Sequence, residues 1–133
     1  MPLRALCVKP VSQHSGGRIL VVDDEEGFRD GVADLLSMEG YRVTVARNAV
    51  EAVSLLPEFK PQLILLDLRM PLLDGEMFLR GIRGAAASRE VPVVLISAKE
   101  ELAAIALRCG ATAYLPKPFE APQLLSIIER VLR

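Results

Sequence analysis

LILLDLRMPLLDG, residues 63–75, runs four apolar residues into an aspartate, Asp67, and turns soon afterwards through Met70-Pro71 and Asp74-Gly75. An unbroken apolar run of this length, with no polar alternation, is the pattern of a strand covered on both faces. Such strands belong to parallel sheets. Each parallel strand needs a crossover connection, usually a helix, to reach the next. The chain on either side of residues 63–75 should therefore alternate strand and helix. It also leaves a question, because a buried strand has no obvious reason to end on a carboxylate.

The alternation is present. RILVVD (residues 18–23) is a short apolar run and reads as the first strand. Phe28, Val32, Leu35 and Leu36 follow at helical spacing, and Gly40 stops that helix. Gly31 inside it costs about 1 kcal/mol relative to Ala. YRVTVA (residues 41–46) alternates as a second strand. Ala49, Ala52, Val53 and Leu56 mark a second helix, which the pattern closes at Pro57. QLILLD is the third strand. A helix from about Gly75 carries Phe78, Leu79 and Ile82, weakened by Gly81 and Gly84. VPVVLIS (residues 91–97) is the fourth strand, with Pro92 tolerable near its start. A helix over residues 99–109 precedes the fifth strand, TAYLP. The last helix carries Leu124, Leu125, Ile128, Val131 and Leu132, and Pro122 suits its first turn. Five strands alternating with five helices predict an α/β fold, a doubly wound, flavodoxin-like parallel sheet in the order 2-1-3-4-5.

Composition agrees with one such domain. The 133 residues are 51% hydrophobic and carry a net charge of -1, which gives no electrostatic footprint for nucleic acid. Residues 1–17, including SQHSGG and the sole histidine, His14, read as a flexible N-terminal lead, and residues 18–133 as the domain. Cys7 and Cys109 make neither a metal spacing nor a disulfide framework, so a reducing, cytoplasmic setting is expected. No apolar run approaches the roughly 18 residues of a membrane span, and no signal peptide is visible.

The predicted topology answers the question posed by Asp67. In doubly wound sheets, ligands sit beyond the C-terminal strand ends, where the strand order reverses. Strands one and three are neighbours there. Strand one ends in Asp23-Asp24 and strand three in Asp67, so three carboxylates crowd one crevice. A hard divalent cation with oxygen ligands, of which Mg²⁺ is the usual candidate, relieves their repulsion. Strand four ends in Ser97, a hydroxyl donor, and strand five leads into Lys117. Metal, carboxylate, hydroxyl and ammonium together suit phosphoryl transfer, with Asp67 as the nucleophile. Each residue has a plainer reading. The aspartates and Ser97 can cap helices or turns, and Lys117 can be solvated. The convergence of all five on C-terminal strand ends is what favours a site.

At these residues the chain resembles the receiver domain of response regulators in two-component signalling. ILVVDDEE, LLDLRMPLLDG, LIS followed by Ala98, and AYLPKPF carry the likeness, over residues 18–133. The resemblance implies that Asp67 is the phosphoacceptor. It implies a Mg²⁺ site formed by Asp23, Asp24 and Asp67 with the Arg69 backbone carbonyl. Ser97 takes the role of switch hydroxyl, Tyr114 that of switch aromatic, and Lys117 that of contact to the phosphoryl group across a cis Lys117-Pro118 bond. A histidine kinase or phosphotransfer protein would supply the phosphoryl group, and a downstream protein or a second copy would read it. No activity is implied beyond promoting the chain's own phosphorylation and dephosphorylation. Arg69 and Lys99, two residues past Asp67 and Ser97, are cations expected to flank the phosphoryl group.

Other uses of the same fold fit less well. A haloacid-dehalogenase-like hydrolase needs an acid where Arg69 stands. A flavodoxin-like carrier needs a phosphate-cradling loop where DDEEG stands. An interaction module that never sees phosphate is the remaining alternative. Helical spacing also marks a surface. Leu102, Ile105, Ala106 and Cys109 form one stripe of the fourth helix, expected to face the core, and leave Ala103 and Leu107 on another. Leu124, Ile128 and Val131 form the core stripe of the last helix and leave Ile127 to one side. Ala103, Leu107, Tyr114 and Ile127 are therefore expected to line a partner or dimer surface, as they would in the family resembled.

Overall fold

The computed structural model describes residues 17–68, 75–98 and 102–133. Within them the chain runs β1 (Arg18–Val22), α1 (Glu26–Met38), β2 (Arg42–Ala46), α2 (Ala49–Phe59), β3 (Leu63–Asp67), α3 (Gly75–Gly84), β4 (Val93–Ser97), α4 (Leu102–Cys109), β5 (Ala113–Pro116) and α5 (Ala121–Leu132). The five strands form one parallel sheet in the order β2-β1-β3-β4-β5. This is the doubly wound fold expected from the strand and helix alternation. The proposed flexible lead, apart from Gly17, lies outside the described residues, as do Arg69, Asp74 and Lys99. Among the described residues no helix is long and apolar enough to cross a membrane.

The apolar strands have the physical role that their composition suggests. β3 and β4 are buried at every position, and β1 at all but its first. Successive side chains point to opposite faces of the sheet. Leu20, Val22, Ile64, Leu66, Val93 and Leu95 accordingly join a core with α2, α3 and α4. Ile19, Val21, Leu63, Leu65, Val94 and Ile96 join a second core with α1 and α5. The two cores clamp the central strands and hold their C-terminal ends at a common edge. Helix starts are fixed by local chemistry as well. The Asn48 side chain accepts from the Glu51 N–H at 2.8 Å to cap α2, and Glu120 and Gln123 form a capping box on α5.

One expectation needs correction. Pro57 does not close the second helix; α2 continues to Phe59 and ends at Lys60, whose φ is 49°. Proline removes one backbone donor and faces solvent here, while Leu55, Leu56 and Phe59 of the last turns pack on the core. Packing of that turn outweighs the lost hydrogen bond. Val131 packs on the second core with the α5 stripe, less deeply than its two companions. Leu124 and Ile128 are completely buried, whereas Val131 is partly exposed near the end of the helix. The predicted α4 stripe of Leu102, Ile105, Ala106 and Cys109 is buried throughout.

Gly75 opens α3 against the end of β3. Its N–H donates to the Leu68 carbonyl at 3.2 Å. A Cβ at this position would lie 2.7 Å from the Leu68 Cα and 2.9 Å from the Asp67 carbonyl oxygen, so backbone would have to shift. Gly75→Ala should therefore lower stability by roughly 1–3 kcal/mol. Gly81→Ala meets nothing within 4 Å and should be neutral or stabilising by up to about 1 kcal/mol. Urea denaturation of both variants checks this. A Gly75→Ala protein as stable as the parent would contradict the close approach.

Candidate functional site

Strand register brings the candidate residues to one edge. Val22 of β1 is level with Leu66 of β3, so the residues that follow, Asp23 and Asp67, are side by side. Asp67 is level with Ile96, which sets Ser97 one step further on the next strand. Ser97 is level with Pro116, and the Lys117 N–H donates to the Ser97 carbonyl at 3.0 Å. Lys117 is thereby aimed back across the strand ends. The Lys117-Pro118 peptide is cis, as the resemblance implied.

Asp23 and Asp67 are nearly buried, at 2% and 6% exposure, and Asp24 is exposed. Asp23 Oδ1 accepts from the Glu25 N–H at 2.9 Å, a turn that leads the chain into α1. Its Oδ2 lies 3.3 Å from Lys117 Nζ, and Asp67 Oδ2 lies 3.7 Å from the same nitrogen. One carboxylate oxygen from each of Asp23, Asp24 and Asp67 falls within 4.8 Å of the others. At such separations each pair of charges repels by roughly 4 kcal/mol at an effective dielectric of about 20. One ammonium cannot balance three carboxylates. The donor set is all oxygen and all anionic, which favours a hard divalent cation over a soft metal.

A cleft of about 230 Å³ opens above these groups, lined by Asp24, Glu25, Asp67, Ala98 and Lys117. That is several times the roughly 30 Å³ share of one water. It is below the roughly 300–1,000 Å³ of pockets that enclose drug-sized organic molecules. The space suits a hydrated ion with a small anionic group.

Asp23, Asp24, Asp67 and Lys117 are thus gathered into one cluster, with Ser97, 1% exposed, on the adjacent strand end. The Arg69 carbonyl and the Lys99 cation fall outside the described residues. Tyr114 is separate from the cleft. It is 44% exposed on β5 and borders a groove of about 620 Å³ with Ala103, Leu107, Ile127, Arg130 and Val131. Leu107 is 86% exposed. The four residues expected on a common surface therefore do share one.

Two residues near the site were not legible as site residues. Phe28, read as a core residue of the first helix, lies with its ring centroid 4.0 Å from Lys117 Nζ. Arg29 is 7% exposed and its Nη1 donates to the Asp23 carbonyl at 3.4 Å. The Arg29 Nε is buried without a hydrogen bond, 3.5 Å from the Asp30 carboxylate. Both belong to the first turn of α1. Helical side chains tilt toward the N-terminus, so these overhang the strand ends. That rule was the available signal.

Comparison with known proteins agrees with this geometry. Residues 19–129 match the family described as the response regulator receiver domain. Response regulator MprA of Mycobacterium tuberculosis is 36% identical over 118 residues, which are 87% of this chain and 50% of that protein. The chain therefore spans about half the length of the MprA relatives it matches and a quarter of that of the regulatory protein AtoC of Escherichia coli. The receiver domain of NtrX from Brucella abortus is 39% identical, with a TM-score of 0.79 over 86% of this chain and 97% of that one. The receiver domain of a Pseudomonas aeruginosa PAO1 sensor histidine kinase, solved with a magnesium ion coordinated in its active site cleft, is 32% identical. Its TM-score is 0.81, over 89% of this chain and 98% of that one. The chain belongs to the response regulator receiver domain family of two-component signalling.

Proposed function

We propose that the chain is a phosphoryl-accepting switch, with Asp67 as acceptor and a partner's phosphohistidine as donor. The observation that carries this reading is the packing of three carboxylates and one lysine within a few ångströms at the C-terminal strand ends. An Asp67 carboxylate oxygen attacks phosphorus, the P–O bond forms, and the P–N bond breaks with its electron pair returning to the donor imidazole. Asp23, Asp24 and Asp67, with the Arg69 carbonyl, would hold Mg²⁺. When bound, that ion neutralises charge on the carboxylates and on the transferring group. Lys117 pairs with a phosphoryl oxygen, and Ser97 donates to another. The protein's part is positioning and charge neutralisation, which is what phosphoryl transfer requires. The chain acts on itself alone and turns over no separate substrate.

An acyl phosphate adds nearly two negative charges to a site that is already acidic. Movement of Ser97 toward that group would vacate space beside β5 for the Tyr114 ring. The half-exposed position of Tyr114 leaves it free to make that move. The groove it borders combines Ala103, Leu107 and Ile127 with the Arg130 cation. This apolar surface, formed by α4 and α5 beside the strand of the switch aromatic, suits a protein partner or a second copy that binds the phosphorylated state.

With Mg²⁺ and acetyl phosphate, intact mass should rise by one phosphoryl group that hydroxylamine removes, and Asp67→Ala should abolish the gain. Equal labelling of parent and variant would refute the acceptor assignment. On the groove, Leu107→Lys should leave that labelling unchanged and weaken phosphorylation-dependent association, read by light scattering or by binding to the cognate partner. Unaltered association would remove the surface from the account.

A further inference from the structure

Lys117 is held by more than its two carboxylates. Its ammonium lies 3.3 Å from Asp23, 3.7 Å from Asp67 and 4.0 Å from the centroid of the Phe28 ring. Phe28 is itself braced. The Phe119 ring meets it edge to face, with centroids 5.7 Å apart and planes at 82°. Phe119 lies two residues beyond Lys117, so the segment that carries the ammonium also carries the support for the ring beneath it.

The three contacts differ in what happens to them during a phosphorylation cycle. Asp23 and Asp67 are claimed by other groups. A cation in the acidic cluster would draw on both carboxylates, and Asp67 becomes an acyl phosphate. A lysine side chain held only by these partners would lose its orientation once a cation claims them and before a phosphoryl oxygen arrives, because its four-carbon stem is flexible. The Phe28 face neither titrates, ligates metal nor reacts. An aromatic face attracts an ammonium through its quadrupole, more strongly where water is partly excluded. The Lys117 side chain is 22% exposed, so much of its surroundings is protein.

We infer that Phe28 is a positioning residue for phosphoryl transfer: its ring keeps the Lys117 ammonium over the cleft while the carboxylates change partners. The inference rests on the assignment of Asp67 as acceptor. It extends that assignment to a residue of α1 that touches neither phosphorus nor metal and acts through Lys117 alone. Phe119 acts one step further out, by fixing the tilt of the Phe28 ring.

The test uses Phe28→Leu, which keeps an apolar group of similar size, and Phe28→Tyr, which keeps the aromatic face. The first readout is the NMR shift of the Lys117 Cε protons, which the ring current of Phe28 displaces upfield. The displacement should persist in Phe28→Tyr and vanish in Phe28→Leu. The second is phosphorylation by acetyl phosphate at saturating donor and Mg²⁺. Phe28→Leu should lower the maximal rate about two- to thirtyfold, the range of a cation–π contact expressed as a rate ratio, with donor KM little changed. Phe28→Tyr should restore it. A parent protein that is labelled normally, with Phe28→Leu equal to it in rate, would overturn this inference alone. Loss of rate in Phe28→Tyr as severe as in Phe28→Leu would also overturn it, since packing and not the aromatic face would then be the cause. A parent protein that takes no phosphoryl group would instead fail at Asp67.

Discussion

Three carboxylates within 4.8 Å of one another, two of them nearly buried, are the constraint around which the rest of the chain is arranged. Like charges at that distance oppose folding, and burial removes the water that would screen them. Lys117 offsets part of the repulsion by reaching Asp23 and Asp67 together. Arg29 adds a buried cation behind Asp23, bound to the backbone carbonyl and not to the carboxylate. The remainder is residual negative charge at the cleft, which a divalent cation would offset.

A site this unfavourable must be held by structure elsewhere. The central strands, buried at all but one position, do so. β1, β3 and β4 contribute side chains to two cores on opposite faces, so their ends cannot separate without opening both. Register then decides which side chains meet. Because Val22 is level with Leu66, Asp23 and Asp67 emerge together. The site is acidic and open at its upper edge while its floor is among the least exposed parts of the molecule. Local change at the loops is therefore compatible with an unchanged sheet, which is the mechanical requirement of a switch.

Much of this was readable in the residues. Unbroken apolar runs such as Leu63 to Leu66 demanded a two-faced strand, and the carboxylates, Ser97 and Lys117 stood at strand ends in the order that a doubly wound sheet brings together. Helix boundaries were less legible where tertiary packing outweighed local preference. Pro57 reads as a stop, yet burial of Leu56 and Phe59 carries α2 past it. Val131 has the spacing of a core residue and packs on the second core, but α5 ends one residue after it, at Leu132, and leaves it partly exposed. Phe28 and Arg29 were the residues missed. Apolar periodicity explains Phe28 well enough as packing, and a charged residue beside it reads as solvated. The Phe28–Lys117 contact joins distant parts of the chain, while the Arg29–Asp23 hydrogen bond is local and rests on the tilt of helical side chains toward the N-terminus.

Titration calorimetry with Mg²⁺ tests directly whether the acidic cluster is a cation site. One ion should bind per chain in the parent protein. Asp24→Ala should weaken binding by at least about tenfold, the lower end of what loss of a metal ligand's supporting partners costs, and Asp23→Ala should weaken it less. Mg²⁺ affinity unchanged in both variants would contradict the claim that these carboxylates are gathered to hold a metal.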